Sequence, residues 1–237
     1  MDDAQRQGRV VVVTGANRGI GYELVRQFAA NGDHAVLGSR DPDKGREAAR
    51  RLGRLPGTVL AERLDVTDPA SLAGLADRLR ERYGRVDAVV NNAAIHYDTW
   101  QNAADADLGV VREALETNLF GAWQVVQALL PLVRESEHGR IVNVSSGAAT
   151  LQGMSGGIPA YKVSKTAMSA LTRMLAAELR HDGILVNAVC PGWVATDMGG
   201  PGGRPVAEGA RSVRWAVDLP DSGPTGGFFR DGRPVPW

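Results

Sequence analysis

A tyrosine and a lysine four residues apart are the side chains best suited to chemistry in this sequence. Tyr161 and Lys165 lie in a segment with helical periodicity, where positions i and i+4 share one face. An ammonium close to a phenol favours the phenolate, by about 4 kcal/mol at 4 Å with an effective dielectric near 20. That attraction predicts a pKa up to about three units below the ordinary value for Tyr161, which would then exchange a proton at neutral pH.

Hydroxyl, amide and glycine-rich segments follow several of the apolar runs that the sequence predicts as strands. These segments are residues 14–21, 91–94, 145–146 and 190–196. In open α/β sheets, ligands bind outside the carboxyl ends of the strands, at the point where the strand order reverses. We therefore expect these segments to meet Tyr161 and Lys165 in one cleft.

Gly15, Gly19 and Gly21 stand between the first apolar run and the first helical run. Glycines in this context let the backbone approach a pyrophosphate, and the N-terminus of the following helix supplies free N–H groups and a partial positive charge. No Lys-Ser or Lys-Thr pair follows the last glycine, so the segment is not a mononucleotide-binding P-loop. The pattern predicts a dinucleotide-binding site.

Basic residues surround the end of the second apolar run, where NAD-binding proteins carry an acidic residue for the ribose 2′-hydroxyl. Arg40 takes that place, with Lys44 one helical turn later and Arg18 inside the glycine segment. Such cations suit a 2′-phosphate, which arginine binds with two parallel hydrogen bonds. We predict NADP(H) as the cofactor. The alternative is NAD(H), because the neighbouring Asp41 would suit the free hydroxyl.

Apolar and helical runs alternate along the chain, and these elements must position the residues above. The predicted strands are 9–14, 35–38, 58–64, 88–91, 140–145, 184–189 and 227–230, and the predicted helices are 20–31, 43–52, 69–83, 107–134 and 160–181. Strands that are apolar at successive positions are covered on both faces. The alternation predicts an α/β fold, a single-domain Rossmann-type doubly wound parallel sheet with helices on both faces and strand order 3-2-1-4-5-6-7.

Composition excludes several classes of protein. The 237 residues carry 27 Lys and Arg against 27 Asp and Glu, so the basic excess typical of nucleic-acid-binding proteins is missing. One cysteine cannot form an internal disulfide, and the four histidines lack zinc-ligand spacing, so no metal is predicted. No apolar run reaches the ~18–20 residues of a membrane span, and residues 1–7 are polar. These features predict a soluble, cytoplasmic protein.

Taken together, the motifs resemble those of the short-chain dehydrogenases/reductases over about residues 9–230. The resemblance rests on Thr14-Gly15-x-x-x-Gly19-x-Gly21, Asn91-Asn92-Ala93, Asn118, Ser146, Tyr161-x-x-x-Lys165 and Pro191-Gly192, in that order. The glycine segment, residues 39–41 and residues 225–229 are similar to the carbonyl-reductase-like branch, which prefers NADP(H). We predict one domain over 1–237, with a mainly dinucleotide-binding half (8–110) and a catalytic, substrate-binding half (111–237).

The resemblance implies catalytic roles for Tyr161, Lys165, Ser146 and Asn118. Tyr161 is then the general acid in reduction and the general base in oxidation. Lys165 lowers the pKa of the tyrosine and holds the nicotinamide ribose. Ser146 hydrogen-bonds the carbonyl oxygen as charge develops on it, and Asn118 braces a water that passes protons to Lys165.

The resemblance also implies a set of nucleotide and substrate contacts. Asp65 is expected at the adenine, Asn91 at the adenosine ribose, and Thr196 at the nicotinamide carboxamide. The full predicted cofactor site is Gly15, Asn17, Arg18, Gly19, Ile20, Gly21, Ser39, Arg40, Lys44, Asp65, Val66, Asn91, Ala93, Tyr161, Lys165, Pro191, Gly192, Val194 and Thr196. The predicted substrate pocket is His96, Tyr97, Trp100, Trp193 and Met198, each of which could instead pack on the surface.

Two departures from the family pattern bear on structure. Ala94 replaces the usual glycine after Asn-Asn-Ala, and a positive φ there would cost alanine about 1–2 kcal/mol, so we expect a local rearrangement. Ser146 stands 15 residues before Tyr161, without the helical insertion of monomeric carbonyl reductases. The two long helices are then free to pair with another copy, which predicts a homodimer or homotetramer.

The predicted function is an NADPH-dependent oxidoreductase that reduces a ketone or aldehyde to an alcohol by reversible hydride transfer. The alternatives are an NAD-linked alcohol dehydrogenase of the same fold and a dinucleotide sensor without turnover. Retention of Ser146, Tyr161 and Lys165 argues against a sensor. The short Gly/Pro-rich segment 196–205 predicts an open pocket for bulky carbonyl compounds. The expected partner is a small molecule, with no nucleic acid and no membrane.

Overall fold

Short strands, most of them rich in valine, build one central sheet in the computed structural model, which describes residues 8–237. The strands are β1 (Val10–Val13), β2 (His34–Ser39), β3 (Thr58–Arg63), β4 (Ala88–Asn91), β5 (Arg140–Val144), β6 (Leu185–Val189), β7 (Phe228–Arg230) and β8 (Arg233–Pro234). Their order is β3-β2-β1-β4-β5-β6-β7-β8, and only the β7–β8 pair is antiparallel. The predicted parallel order is confirmed, and β8 adds an edge strand that the sequence did not predict.

Helices cover both faces of this sheet, as the alternating pattern predicted. They are α1 (Gly19–Ala30), α2 (Pro42–Leu52), α3 (Pro69–Tyr83), α4 (Leu108–Leu115), α5 (Ala122–Val133), α6 (Pro159–Glu178) and α7 (Val206–Val217). Apolar residues of α3, α5 and α6 form one core with Val10 and Val12 of β1. Those of α1 and α7 form a second core with Val11 and Val13. All four valines are buried, which explains why β1 is apolar at successive positions.

Several helix starts are specified by local sequence. Asp68 accepts a hydrogen bond from the backbone N–H of Ala70 (3.0 Å) at the start of α3, and Pro69 occupies the first helical position. Asp41 does the same for α2, accepting from Asp43 (3.0 Å) and Lys44 (3.2 Å). Because an aspartate cap and a first-turn proline act locally, the sequence predicts these boundaries well.

The predicted helix 107–134 contains an irregularity that its periodicity does not reveal. A π-helical segment, Glu116–Gly121, separates α4 from α5 and contains Asn118. Such segments are rare and occur often at functional sites. The predicted helix 160–181 ends as α6 followed by a 3₁₀ turn, Leu179–Asp182.

Helix α7 was not predicted, because its sequence contains Gly209 and follows a Gly/Pro-rich segment. The structure explains the glycine. A Cβ atom at position 209 would lie 2.5 Å from Cγ2 of Val194, so glycine allows α7 to pack closely against the segment after β6. Tertiary packing therefore overrides the low helix propensity of glycine here.

Residues 1–7, predicted to be polar and without a signal sequence, lie outside the described residues. Among the helices of residues 8–237, none has the length and apolar character needed to cross a membrane. The same residues contain no group of three His, Cys, Asp or Glu side chains that could hold a metal ion. The division into a dinucleotide-binding half and a catalytic half stays a prediction.

Candidate active site

A cleft of about 480 Å³ lies along the carboxyl edge of the sheet, beside β1 and β4, where the strand order reverses. The segments that follow the first six strands contribute to its lining, together with Tyr161 and Lys165 of α6. The predicted site residues that line it are Gly15, Asn17, Arg18, Gly19, Ile20, Ser39, Arg40, Lys44, Asp65, Val66, Ala93, Tyr161, Lys165, Pro191, Thr196 and Met198. The cleft therefore stands where the sequence placed the dinucleotide.

The glycine segment after β1 has the backbone geometry of a phosphate-binding turn. Gly15 and Gly19 have φ angles of +62° and +58°, a region that favours glycine. A Cβ atom on Gly15 would lie 2.9 Å from Cα of Ala93, so only glycine allows this close approach. Because α1 begins at Gly19 in the cleft wall, the free N–H groups of its first turn lie beside the cleft. These features fit a pyrophosphate.

Asn92 supports the glycine segment, a role that the sequence did not reveal. Its Nδ2 donates hydrogen bonds to the carbonyl oxygens of Thr14 (2.9 Å) and Gly15 (3.2 Å). In return, Oγ1 of Thr14 accepts hydrogen bonds from the backbone N–H groups of Asn92 (3.0 Å) and Ala93 (2.9 Å). These bonds join the ends of β1 and β4, so the two sides of the cleft are held as one unit.

The three cations predicted to bind a 2′-phosphate, Arg18, Arg40 and Lys44, all line the cleft. Arg18 forms an ion pair with Asp197 across the cleft (2.8 Å), and Nζ of Lys44 lies 3.5 Å from Asp41. Among the described residues, no carboxylate pairs with Arg40, which is exposed. Arg40 is therefore the cation best able to take a new anionic partner.

Asp41 is engaged as a helix cap. Its carboxylate accepts the backbone N–H groups of Asp43 and Lys44, and those contacts, with Lys44 the largest, hold its pKa below the ordinary value. Both N–H groups bond Oδ1, and Nζ of Lys44 lies 3.5 Å from Oδ2, so the carboxylate is oriented towards its own helix and its charge is offset by a cation. Arg40 has no such partner among the described residues, and this difference favours the cationic interpretation of this part of the cleft over the acidic one.

Tyr161 and Lys165 line the cleft, and the predicted Ser146 lies outside the lining but contacts Tyr161. The hydroxyl groups of Tyr161 and Ser146 share a hydrogen bond, and Nζ of Lys165 lies 5.9 Å from the centroid of the Tyr161 ring. Lys165 is buried, and its Nζ donates a hydrogen bond to the carbonyl oxygen of Val144 at the end of β5 (2.7 Å). Helix α6 thus presents both side chains to the strand end, as the i, i+4 spacing predicted.

The predicted direction of the Tyr161 pKa shift is wrong. Burial raises the pKa of Tyr161 to about 12, although the hydrogen bond with Ser146 acts in the opposite direction. Burial also lowers the pKa of Lys165 from 10.5 to about 8. Desolvation penalises the charged form of each group, and the attraction between ammonium and phenolate on which the prediction rested contributes to neither shift.

Asn118 lies behind the site rather than in the cleft wall. Its Oδ1 accepts a hydrogen bond from the backbone N–H of Ile95 (2.8 Å), and its Nδ2 donates to the carbonyl oxygen of Ile95 (3.1 Å) and to Oγ of Ser164 (3.0 Å). The amide is fully buried and joins three segments around the catalytic helix. This geometry assigns the side chain to bracing, and the predicted contact with a water stays a prediction.

Four of the predicted cofactor residues do not line the cleft: Gly21, Asn91, Gly192 and Val194. The side chain of Asn91 is buried and donates hydrogen bonds to Oδ1 of Asn143 (2.9 Å) and to the carbonyl oxygen of Ala122 (3.3 Å). It therefore faces the helical layer instead of the nucleotide. Gly21 is a packing residue, because a Cβ there would lie 2.6 Å from Nδ2 of Asn92.

The predicted substrate residues are more scattered than expected. The Tyr97 ring stands edge-on to the Tyr161 ring, with 5.2 Å between centroids. His96 is turned away, because its Nε2 lies 2.8 Å from the carboxylate of Glu113 on α4. Trp100 and Trp193 are 67% and 65% exposed.

The departure at Ala94 causes no backbone strain. Apart from glycines, the residues with positive φ in the described part of the chain are His96, Ile158 and Asp231, so Ala94 has an ordinary backbone and the expected rearrangement is not needed.

Residues of the cleft wall that the sequence did not predict are Asp41, Leu64, Thr67, Asn92, Ala94, Ile95, Thr117, Val144, Ser145 and Asp197. Most of them are neighbours in sequence of predicted residues, so their position at the strand ends is the signal by which the sequence could have indicated them.

Comparison with known proteins agrees with this geometry. A family model described as short chain dehydrogenase matches residues 9–204. The chain belongs to the short-chain dehydrogenase family. It is 34% identical to carbonyl reductase [NADPH] 1 from Bos taurus (96% of this chain, 98% of that one) and 33% identical to (+)-neomenthol dehydrogenase from Arabidopsis thaliana (95% and 97%). The NADPH-bound carbonyl reductase from chicken fatty liver superposes with a TM-score of 0.85 at 28% identity (97% and 99%).

These findings confirm the predicted family and the predicted oxidoreductase class. The short-chain dehydrogenase domain model ends at residue 204, before α7, whereas the superposition with the chicken enzyme extends over nearly the whole chain. Helix α7 and the last strands therefore belong to the same fold as the matched core. The resemblance to carbonyl reductases, predicted from the glycine segment, is also confirmed.

The buried ammonium of Lys165 predicts a measurable dependence of stability on pH. Because the pKa of Lys165 is about 8 in the folded protein and 10.5 in a free side chain, the unfolded chain binds the additional proton between these values. The free energy of unfolding should therefore rise from pH 8 towards pH 10, by at most about 3 kcal/mol, and Lys165→Met should abolish that rise. Urea unfolding of the wild type and of Lys165→Met at successive pH values measures the free energy of unfolding of each protein.

Lys162→Met is the matched control, since Lys162 lies on the same helix and its ammonium bonds the carbonyl oxygens of Ser155 and Gly156, which precede that helix. It should keep the rise in stability. Parallel pH profiles for wild type and Lys165→Met would contradict a buried, destabilised ammonium.

Proposed function

We propose that this protein is an NADPH-dependent reductase that converts a ketone or aldehyde to an alcohol, with Tyr161 as the proton donor. The observation that carries the proposal is that Tyr161 and buried Lys165 stand together in the wall of the cleft at the strand ends, with Ser146 in contact with Tyr161. NADPH, when bound, supplies the hydride. The protein's part is then to hold the carbonyl compound and to deliver a proton to its oxygen.

Each of the three side chains has a distinct task in this scheme. The shared hydrogen bond places the Ser146 and Tyr161 hydroxyls where both can contact one carbonyl oxygen. A pKa raised to about 12 keeps the Tyr161 phenol protonated at neutral pH, which is the form that a proton donor requires. As the proton leaves, the ammonium of Lys165 stabilises the phenolate that forms beside it.

The choice of NADPH over NADH is supported by charge at the end of β2. Arg40 is exposed and without a carboxylate partner among the described residues, while Asp41 is used as a helix cap. Several similar proteins carry NADPH in their names, among them the bovine and chicken carbonyl reductases. NAD-linked alcohol oxidation is the second candidate, favoured by the acidic residue next to Arg40.

The surroundings of the site favour apolar carbonyl substrates. Leu151, Met154, Trp193 and Met198 are all at least 40% exposed, and they stand on the two segments that follow Ser146 and Pro191. Exposed apolar side chains beside a reactive group suit a bulky hydrophobic ketone or aldehyde. The similarity of this chain to a protein named (+)-neomenthol dehydrogenase supports the same class of substrate.

Removing the Tyr161 hydroxyl separates an enzyme from a dinucleotide sensor. Tyr161→Phe should lower kcat/KM for a carbonyl substrate by about 10²–10⁴-fold, because general acid catalysis contributes that much, and should leave NADPH binding unchanged. Turnover is followed by NADPH absorbance over a panel of ketones and aldehydes, and binding by fluorescence titration.

Tyr83→Phe is the matched control, because Tyr83 lies on α3 and its buried hydroxyl has no hydrogen-bond partner within residues 8–237. It should keep full turnover. A wild-type protein that binds NADPH and reduces none of the panel would favour the sensor, and full activity in Tyr161→Phe would refute the proposed proton donor.

Reversing the charge at Arg40 tests the nucleotide preference. Arg40→Asp should lower kcat/KM for NADPH by about 10–100-fold, because it removes a charge-assisted hydrogen bond to the 2′-phosphate. It should raise kcat/KM for NADH, because the new carboxylate can accept a hydrogen bond from the ribose 2′-hydroxyl. Arg180→Asp makes the same change at an exposed position in the 3₁₀ turn that follows α6 and should alter neither value. The preference is refuted if wild type uses both nucleotides equally, or if Arg40→Asp leaves the ratio unchanged.

The assembly predicted from the sequence, a homodimer or homotetramer, is supported by an apolar stripe on α6. Val163, Ala170 and Met174 share one exposed face of the helix, and Val163 and Met174 are 49% and 46% exposed. Phe120, in the π-helical segment between α4 and α5, is a further exposed apolar residue at 44%. Apolar residues on adjacent long helices suit a self-complementary interface.

A cytoplasmic location remains a prediction from composition.

A charge in this stripe should break the assembly. Met174→Glu is expected to convert the protein to a monomer, because an unpaired carboxylate would be buried in the interface. Light scattering coupled to size-exclusion chromatography measures the mass. A monomeric wild type, or a variant with unchanged mass, would contradict the assigned surface.

A further inference from the structure

The helix that carries Tyr161 begins in an unusual way. The residue before α6, Ile158, has φ +45° and ψ +50°, a left-handed conformation that a β-branched side chain rarely adopts. Ile158 offers no side-chain hydrogen bond to the helix, and Pro159 at the first helical position has no N–H group. The N–H groups of the first turn must therefore find an acceptor elsewhere in the protein.

Asp98, from the loop between β4 and α4, supplies that acceptor. Its Oδ2 accepts a hydrogen bond from the backbone N–H of Ala160 (2.9 Å), and its Oδ1 accepts one from the backbone N–H of Tyr161 (3.1 Å). Asp98 is 0% exposed. A buried carboxylate is costly without partners, and the N-terminus of a helix carries the partial positive charge that offsets this cost.

Gln101 holds Asp98 in place from within the same loop. Nε2 of Gln101 donates to Oδ2 of Asp98 (3.3 Å), and the backbone N–H of Gln101 donates to the carbonyl oxygen of Asp98 (3.2 Å). At its other end, Oε1 of Gln101 accepts the backbone N–H of Asp107, which caps α4 (2.7 Å). The carboxylate is therefore part of a connected set of bonds between α4 and α6.

The same loop also contacts the reactive side chain. Tyr97, the neighbour of Asp98, places its ring edge-on to the Tyr161 ring at 5.2 Å between centroids. Consecutive residues thus hold Tyr161 at two points, its backbone N–H and its aromatic ring. Because the phenol must reach the carbonyl oxygen to transfer a proton, a small displacement of this helix start changes the rate.

We propose that Asp98 is a positioning residue, which binds the backbone of Tyr161 and thereby fixes the phenol relative to Ser146 and Lys165. The inference rests on the proposed function for its catalytic consequence. Asp98 itself touches neither substrate nor nucleotide in this scheme. Its expected signature is a loss of kcat without a loss of nucleotide affinity.

The experiment compares Asp98→Ala and Asp98→Asn with wild type in the full-length protein. Asp98→Ala should lower kcat by about 10–100-fold, the range expected when a catalytic group shifts by up to about 1 Å. The KM for NADPH should stay unchanged, because the hydrogen bonds of the Asp98 side chain run to α6 and Gln101 and none of them runs to the glycine segment or to Arg40. Asp98→Asn keeps one acceptor oxygen and should show an intermediate kcat.

Asp87 provides a matched control at the opposite edge of the sheet. It is also a buried carboxylate, and it accepts the backbone N–H of Val10 (2.7 Å) and the Ser136 hydroxyl (2.6 Å). Asp87→Asn should lower the unfolding temperature and leave kcat unchanged at temperatures where the variant is folded. Equal losses of kcat in Asp87→Asn and Asp98→Asn would overturn a positioning role for Asp98.

Hydrogen exchange gives a second measurement that does not depend on turnover. Asp98→Ala should accelerate exchange of the Ala160 and Tyr161 amides and leave the C-terminal half of α6 protected. If Asp98→Ala does not fold, Asp98→Asn is measured instead. Unchanged exchange at these amides, or unchanged kcat in an active protein, would overturn the proposal, whereas an inactive wild type would overturn only the proposed reaction.

Discussion

Burial of charge at the carboxyl edge of the sheet is the constraint on which the rest of the site depends. Lys165 is 2% exposed, and its Nζ donates a hydrogen bond to the carbonyl oxygen of Val144. An ammonium in such a place is costly, and the drop in its pKa to about 8 expresses that cost. The carbonyl oxygen at the end of β5 holds the ammonium there, at 2.7 Å.

The strands and most of the helices could be predicted because their signals are local. Runs of buried valine in β1 and β4 specify strands covered on both faces, and an aspartate followed by proline marks the start of α3. Helix α7 could not be predicted, since Gly209 is present for a contact with Val194 that exists only in the folded protein. The π-helical segment around Asn118 likewise follows from packing rather than from periodicity.

The candidate site was predictable to the level of strand ends but not always to the level of side chains. Asn91 and Asn92 are adjacent, yet successive residues of an extended chain point to opposite sides, so one enters the helical layer and the other supports the glycine segment. Asp98 had no signal in the sequence, because its partner Tyr161 is 63 residues away. The sequence also overestimated the attraction between Lys165 and Tyr161, since it could not weigh the burial of both.

Burial also decides which protonation states the pair holds before a substrate binds. Desolvation raises the pKa of Tyr161 to about 12 and lowers that of Lys165 to about 8, so it favours the neutral form of both groups. A protonated phenol is the form from which the proposed proton donor starts, but a pKa so far above neutral pH makes it a weak acid. Negative charge that develops on the phenol during the proposed reaction must therefore be stabilised locally, and the Lys165 ammonium, 5.9 Å from the ring centroid, is the cation placed to do so.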